Sequence, residues 1–135
     1  MIKKIFILFF FLNACGYQPL YVSEKEIVFK NIVFLGDKKI NRKVISLSSI
    51  KKDPENTINN ELILQSGQKI SATSKDTTGQ AASYRTEVEI ILIIKIDDKK
   101  VKEKRFIQAF NYNNIENKSD LSNYQNDVEN NLVNK

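Results

Sequence analysis

The chain has 135 residues, 41% of them hydrophobic, which suffices for one small globular domain. Lysine and arginine number 21 against 16 aspartates and glutamates, which gives a formal net charge of +5. With no histidine and one cysteine, the composition excludes the common zinc sites and catalysis by histidine or by a cysteine–histidine pair. The modest positive charge suits an anionic partner, such as a lipid head group, without requiring one.

The first 14 residues have the layout of an export signal. Two lysines precede an unbroken apolar run from Ile5 to Leu12, and the small Ala14 stands immediately before Cys15. The run is too short to span a bilayer, which takes about 20 apolar residues. Leu12, Ala14 and Cys15 fit the bacterial lipobox, in which the chain is cleaved between Ala14 and Cys15 and the thiol carries a diacylglycerol. The alternative is a plain signal peptide with an incidental cysteine.

We therefore divide the chain into a lipoprotein signal peptide over residues 1–14, a lipidated tether over residues 15–25 and one domain over residues 26–135. Each buried CH₂ group contributes about 0.8 kcal/mol to membrane binding, so a cysteine that carries more than one acyl chain anchors stably. Gly16 follows the cysteine in place of an aspartate that would retain the protein at the inner membrane. We expect the protein at the periplasmic face of the outer membrane.

The domain begins with a β-branched and aromatic run over residues 27–34, which predicts a strand. Asp37 is a good N-cap for a helix. The apolar stripe of this helix consists of Ile40, Val44, Leu47 and Ile50. We expect residues 51–56 to end the helix, since Pro54 cannot continue it. The basic residues beside the stripe (Lys38, Lys39, Arg42 and Lys43) form either a solvated face or a contact with an acidic partner or a lipid phosphate.

Two longer strands follow. Residues 61–74 predict a strand with a bulge or bend at Gly67 and a wet, hydroxyl-rich end, and residues 76–79 predict a turn. From residue 84 to residue 97 apolar and polar side chains alternate with a period of two, which predicts a strand of unusual length. Ile91 and Ile93 interrupt its polar face, and they either contact a helix or partner or are an ordinary exposed pair.

Residues 97–100 predict a hairpin turn, and residues 101–112 a returning strand with Phe106, Phe110 and Tyr112 on one face. We interpret the basic group at its start (Lys100, Lys102, Lys104 and Arg105) as the charged edge of a sheet. Ser119 or Asp120 caps a final helix. Its apolar stripe consists of Leu121, Tyr124, Val128 and Leu132.

The predicted order is β-α-β-β-β-α, which indicates an α+β domain with two helices packed on one face of a four-stranded, mostly antiparallel sheet. The sequence shows no spaced carboxylate pair, no nucleophilic serine elbow and no glycine-rich phosphate loop. We therefore expect no enzymatic activity, no cofactor and no metal. Nucleic acid is not an expected partner of an exported protein.

One block of the sequence resembles a known family. Its residues are Cys15, Gly16, Tyr17, Gln18, Pro19, Leu20 and Tyr21. The block is similar to the mature N-terminus of the LPS-assembly lipoprotein LptE family in its alphaproteobacterial form, and residues 81–85 and 110–113 are similar to later stretches of that family. The resemblance implies the same order of elements. It also implies a lipoprotein that plugs and helps assemble the LptD β-barrel and binds lipopolysaccharide. Members usually have a longer last helix, so we expect this chain to be short at its C-terminus.

Lys69, Lys75 and Arg85 lie near the predicted turn between the second and third strands, and they are our candidates for contact with lipopolysaccharide phosphates. No family motif matches these three positions. The alternative function is a generic outer-membrane lipoprotein, a binding or inhibitor module without a barrel partner.

Overall fold

The structure is a computed structural model that describes residues 26–135. The predicted signal peptide, Cys15 and the block over residues 16–21 lie outside the described residues. The strands are β1 (Ile27–Phe29), β2 (Asn31–Gly36), β3 (Ile50–Lys52), β4 (Asn60–Lys75), β5 (Ala81–Ile96) and β6 (Lys99–Asn113). The helices are α1 (Lys38–Leu47) and α2 (Lys118–Val133).

A four-stranded sheet in the order β2-β4-β5-β6 forms the body of the domain. β2 pairs with β4 in parallel, and the other two pairs are antiparallel. The helices pack on one face of this sheet around a core whose buried members are Ile40, Val88, Tyr112, Val128 and Leu132. The predicted α+β fold is therefore confirmed. The two short strands β1 and β3 form a separate parallel pair.

The predicted first strand is divided at Lys30 into β1 and β2. The side chain of Asn60 bridges the break, because its Oδ1 accepts from the Lys30 N–H at 2.8 Å and its Nδ2 donates to the Val28 carbonyl at 2.9 Å. These two bonds satisfy backbone groups that lose their ladder partners where the strand leaves one sheet for another.

The start of α1 is held tightly against β4. The Asp37 carboxylate accepts from the Lys39 N–H at 2.8 Å and the Ile40 N–H at 3.1 Å, as predicted for an N-cap. Gly36 precedes the cap with φ +75°, and a Cβ at this position would lie 2.0 Å from the Ser66 carbonyl oxygen. Both the backbone angle and the close approach therefore require glycine.

α1 ends earlier than the apolar stripe predicted. It stops at Leu47 because Ser48 is extended, with its N–H and its hydroxyl both donating to the Ile45 carbonyl at 3.2 and 3.0 Å. Serine hydroxyls compete in this way with helical hydrogen bonds. The predicted continuation of the helix to Ile50 is wrong, since Ile50 begins β3 and pairs with Ile27.

The long strands are regular at the position where a bulge was predicted. Gly67 pairs with Glu89 in unbroken register, so the predicted irregularity at this glycine is wrong. The register shifts instead between Ala72 and Lys75, close to the β4–β5 turn. At the other end of β5, Asp97 and Asp98 have φ values of 50° and 62° and form a two-residue turn, which is the conformation of a type I′ hairpin.

α2 begins slightly before the predicted caps. Asn117, rather than Ser119 or Asp120, is the N-cap, and its Oδ1 accepts from the Ser119 N–H at 2.8 Å. Of the predicted stripe, Val128 and Leu132 are buried in the core and Leu121 packs against it, whereas Tyr124 is 37% exposed. Neither described helix is long and apolar enough to cross a membrane.

Candidate binding surfaces

The structure brings together two of the three candidate lipopolysaccharide contacts. Lys69 lies opposite Glu87, and Arg85 lies opposite Ser71, so the two basic residues are diagonal neighbours on the sheet face away from the helices. Lys75 is the last residue of β4, four residues beyond Ser71 and roughly 13 Å farther along the strand. All three side chains are exposed.

Their electrostatic surroundings differ. Arg85 Nη1 donates to Asn111 Oδ1 at 3.2 Å, and Arg85 Nε lies 3.9 Å from Glu87 Oε2. Exposed ion pairs of this kind contribute at most about 1 kcal/mol, so the guanidinium can exchange Glu87 for another anion. Lys69 and Lys75 make no ion pair with any residue that the structure describes, and their charges are available to an incoming phosphate.

The β4–β5 turn beside these basic residues is fixed by one carboxylate. Asp76 Oδ1 accepts from the Thr78 hydroxyl at 2.7 Å, the Thr78 N–H at 2.8 Å and the Gln80 N–H at 3.0 Å. The Thr78 hydroxyl, assisted by backbone N–H groups of Thr78, Gln80 and Gly79, lowers the pKa of Asp76 from its ordinary value of 3.8. The ionised side chain therefore holds the turn at neutral pH.

The basic residues of α1 are partly used within the fold. Lys39 Nζ lies 2.8 Å from Glu129 Oε1, whose side chain is buried in α2. Lys43 Nζ donates to the carbonyl and the side-chain oxygen of Asn130 at 3.1 and 2.8 Å. Lys38, Lys39 and Arg42 are exposed, which agrees with the solvated face that was one of the two predicted alternatives.

The basic group of β6 lies on an edge strand, as predicted. Lys100 pairs with Glu103 at 2.8 Å, and Arg105 pairs with Glu89 across the β5–β6 ladder. Lys104 Nζ lies 4.8 Å from the centre of the Phe106 ring, a cation–π contact. These charges oppose pairing of the exposed edge with a foreign strand.

Ile91 and Ile93 lie on the sheet face away from both helices. Ile93 is opposite Ile63, which is opposite Val33, so a row of half-buried aliphatic side chains crosses three strands. Neither α1 nor α2 covers this row, and the predicted alternative of contact with a helix is therefore wrong.

Sequence reasoning missed a groove between the C-terminal ends of α1 and α2. The groove holds about 250 Å³. Its apolar lining is Val44, Leu47, Ile90, Leu92, Phe106, Leu132 and Val133. Leu47 is 59% exposed and Phe106 40% exposed at its rim. The apolar stripe of α1 and the aromatic row of β6 signalled these side chains, but not that the helices end before covering them.

The described residues thus form a small α+β domain that carries a basic corner (Lys69, Lys75 and Arg85), an uncovered aliphatic row and an apolar groove. No family model matches the chain, and no curated protein matches it in sequence.

Solved structures of bacterial lipoproteins have a similar fold. Rare lipoprotein B from Shewanella oneidensis matches with a TM-score of 0.58 and 14% identity over 77% of this chain and 85% of that one. Uncharacterized lipoprotein B from Nitrosomonas europaea matches with a TM-score of 0.51 and 9% identity over 87% and 83%. A minor lipoprotein from Acinetobacter baumannii matches with a TM-score of 0.50 and 10% identity over 80% and 84%. At these identities the likeness shows the fold alone, which this chain shares with bacterial lipoproteins.

Proposed function

We propose that this chain is an outer-membrane lipoprotein of the LptE type. In this proposal it is anchored through Cys15 at the periplasmic face, helps assemble and plugs the LptD β-barrel, and binds lipopolysaccharide on its way to the outer leaflet. The observation that carries the proposal is the combination of the lipobox block over residues 15–21 with a domain whose fold is that of bacterial lipoproteins.

The uncovered sheet face supports contact with a barrel. A wide barrel leaves an aqueous lumen unless something fills it, and a compact tethered domain of this size is a suitable plug. The aliphatic row of Val33, Ile63 and Ile93 offers apolar area to such a wall. Ion pairs such as Lys95 with Glu61, at 3.7 Å, lie beside it and suit the polar rim of an interface.

The basic corner supports contact with lipid phosphates. Lys69 and Lys75 are exposed, and Arg85 adds a planar fork that recognises phosphate oxygens through paired hydrogen bonds. A hydroxyl cluster lies between them, with Thr73 Oγ1 and Ser74 Oγ at 2.7 and 2.6 Å from Ser83 Oγ. Hydroxyls of this kind can donate to the same ligand.

A pull-down of tagged full-length protein from detergent-solubilised outer membranes tests the barrel partner. We expect one large β-barrel protein at about one-to-one stoichiometry, identified by mass spectrometry. Recovery of the lipoprotein without a barrel would instead leave the generic binding or inhibitor module as its function.

Charge reversal tests the basic corner. We expect the Lys69→Glu, Lys75→Glu double variant to weaken binding of purified lipopolysaccharide at least ~10-fold, because each lost charge-assisted hydrogen bond costs ~1.5–3 kcal/mol. Lys99→Glu, Lys102→Glu makes the same change of charge at the far end of the sheet and serves as the matched control. Equal binding by both double variants and the parent protein would remove Lys69 and Lys75 from the site.

A further inference from the structure

The sheet edge at β6 is apolar as well as basic. β6 is the last strand of the four-stranded sheet, so the backbone groups on its outer side have no strand partner among the described residues. Phe106, Ile107 and Phe110 are 40%, 49% and 45% exposed along the strand. Phe106 and Phe110 lie on the helix side, where they leave apolar area that neither helix covers.

α2 extends beyond this edge. Its Val128 packs with Val88 of β5 and Tyr112 of β6, so the helix axis lies roughly above the space between the two strands. A second stripe on the outer side of the helix consists of Tyr124, Asp127, Asn131 and Lys135. Together with Phe110 this stripe lines a cavity of about 480 Å³ beside β6, where a further strand would lie beneath the helix.

The basic group of β6 restricts how another strand can pair with it. An in-register parallel copy would place lysine beside lysine, and like charges directly opposite are destabilising. An antiparallel copy related by a twofold axis at Ile107 avoids this, because Lys102 then lies opposite Tyr112 and Lys104 opposite Phe110. An ammonium group beside an aromatic ring is favourable. The remaining pairs are Phe106 with Gln108, Glu103 with Asn111 and Arg105 with Ala109.

We propose that two copies of this chain pair antiparallel through β6, with the twofold axis at Ile107. Twofold contact between identical surfaces is the commonest form of association between like chains. Since each α2 lies about half a strand spacing inside its own β6, the two α2 axes come about 10 Å apart, close to the ~8–10 Å of packed helices. Pairing about Asn131 then places Asp127 of each copy beside Lys135 of the other, and the cavities of both copies close together.

The dimer leaves the other candidate surfaces free. The basic corner and the aliphatic row lie on β2, β4 and β5, away from the paired edge. The inference concerns the lipoprotein when no barrel is bound, and it does not depend on the proposed function.

A cysteine at the twofold axis tests the register on the full chain. Ile107→Cys brings two Cα atoms within about 5.5 Å, which a disulfide can span. The matched control Val101→Cys is 56% exposed on the same strand, but its two copies would lie about 40 Å apart. Under mild oxidation we expect at least ~10-fold more disulfide-linked dimer from position 107 than from position 101 or from the parent protein, whose one cysteine is Cys15. Equal yields would overturn the proposal.

Sedimentation in density-matched detergent tests the pairing without an added thiol. We expect the parent protein to sediment as a dimer and Ile107→Lys, which places two ammonium groups against each other, to weaken dimerisation at least ~10-fold. Ile70→Lys makes the same change at a 40% exposed position of the interior strand β4 and should leave dimerisation unchanged. A parent protein that sediments only as a monomer, or equal effects of the two variants, would overturn the proposal.

A charge exchange tests the contact between the two helices. Asp127→Lys should weaken the dimer about 5-fold, because the exposed ion pair is lost twice. Adding Lys135→Asp reverses both charges and should restore the parent affinity. A double variant that dimerises no better than the single variant would overturn the pairing of α2 about Asn131.

Discussion

Two parts of the same sheet face differ in what covers them. In the covered segment, Thr86 and Val88 of β5 and Tyr112 of β6 are 0%, 2% and 7% exposed beneath the helices. In the open segment, farther along the same two strands, Leu92 is half-buried and Phe106 is 40% exposed. Both segments show the same alternation of side chains. Alternation therefore determines which side chains share a face, whereas the ends of the helices determine which of them are buried.

Removing a helix side chain that packs on the covered segment should have the largest effect. Ile40→Ala deletes a side chain that is 1% exposed, and we expect the free energy of unfolding to fall by about 2–5 kcal/mol. Leu47→Ala, on the same stripe of α1 but 59% exposed at the open segment, should cost less than about 1 kcal/mol. Equal losses in denaturant unfolding would show that the two segments do not differ energetically.

The position of α1 over the covered segment depends on Gly36. Gly36→Ala should lower the free energy of unfolding by about 2–4 kcal/mol, since the positive φ costs ~1–2 kcal/mol and the contact with the Ser66 carbonyl forces a backbone shift. Gly67→Ala meets no atom within 4 Å and should be neutral or stabilising by up to about 1 kcal/mol. Chemical denaturation of the two variants gives the comparison, and a stable Gly36→Ala protein would contradict it.

A buried hydrogen bond also contributes to the stability of the covered segment. Thr86 Oγ1 and Tyr112 Oη lie 2.9 Å apart, and the Tyr112 ring packs against Tyr84 and Tyr124 with centroids 5.9 and 5.4 Å away. Thr86→Val leaves the Tyr112 hydroxyl without its partner and should cost about 1–3 kcal/mol. The double variant with Tyr112→Phe should recover part of this loss. Additive losses in the double-mutant cycle would mean that the two groups do not interact.

The smallest effect is expected at the exposed β4–β5 turn, far from both helices. Because the pKa of Asp76 is lowered in the folded chain, its carboxylate stabilises the turn above the ordinary pKa of 3.8, and this contribution is lost as pH falls through the lower folded pKa. Asp76→Asn should therefore lack that acid dependence. Amide exchange at Thr78 and Gln80 between about pH 2 and 5 measures it, and identical profiles for the parent and the variant would refute it.

Sequence reasoning succeeded where local chemistry decides the structure. The alternation in β5 predicted which side chains face the helices, and Asp37 predicted the start of α1. The doubled aspartate at 97 and 98 predicted the hairpin turn, since short polar side chains tolerate positive φ. Each of these features depends on residues within a few positions of one another.

Sequence reasoning failed where residues far apart in the chain determine the structure. Asn60 divides the first strand from 30 residues away, and the pairing of Ile50 with Ile27 withdraws Ile50 from the helical stripe. Lys39 stays largely exposed, as a solvated helix face predicts, but the partners of Lys39 and Lys43 in α2 lie 87 or more residues farther along the chain and could not be identified from the helix alone. The groove was invisible for the same reason, because it exists only where two separate helices end.

The parallel pairing of β2 with β4 has a consequence for the order of folding. It joins residues such as Ile32 and Leu62, whereas β5 and β6 are joined by a two-residue turn. Closing the longer loop costs more chain entropy, so we expect the β4-β5-β6 meander to form first and β2 to dock last, together with α1. Until then β4 presents an unpaired edge with few charges. A nascent chain is therefore most open to misassembly at β4, and not at the lysine-rich edge of β6 that stays exposed in the folded domain.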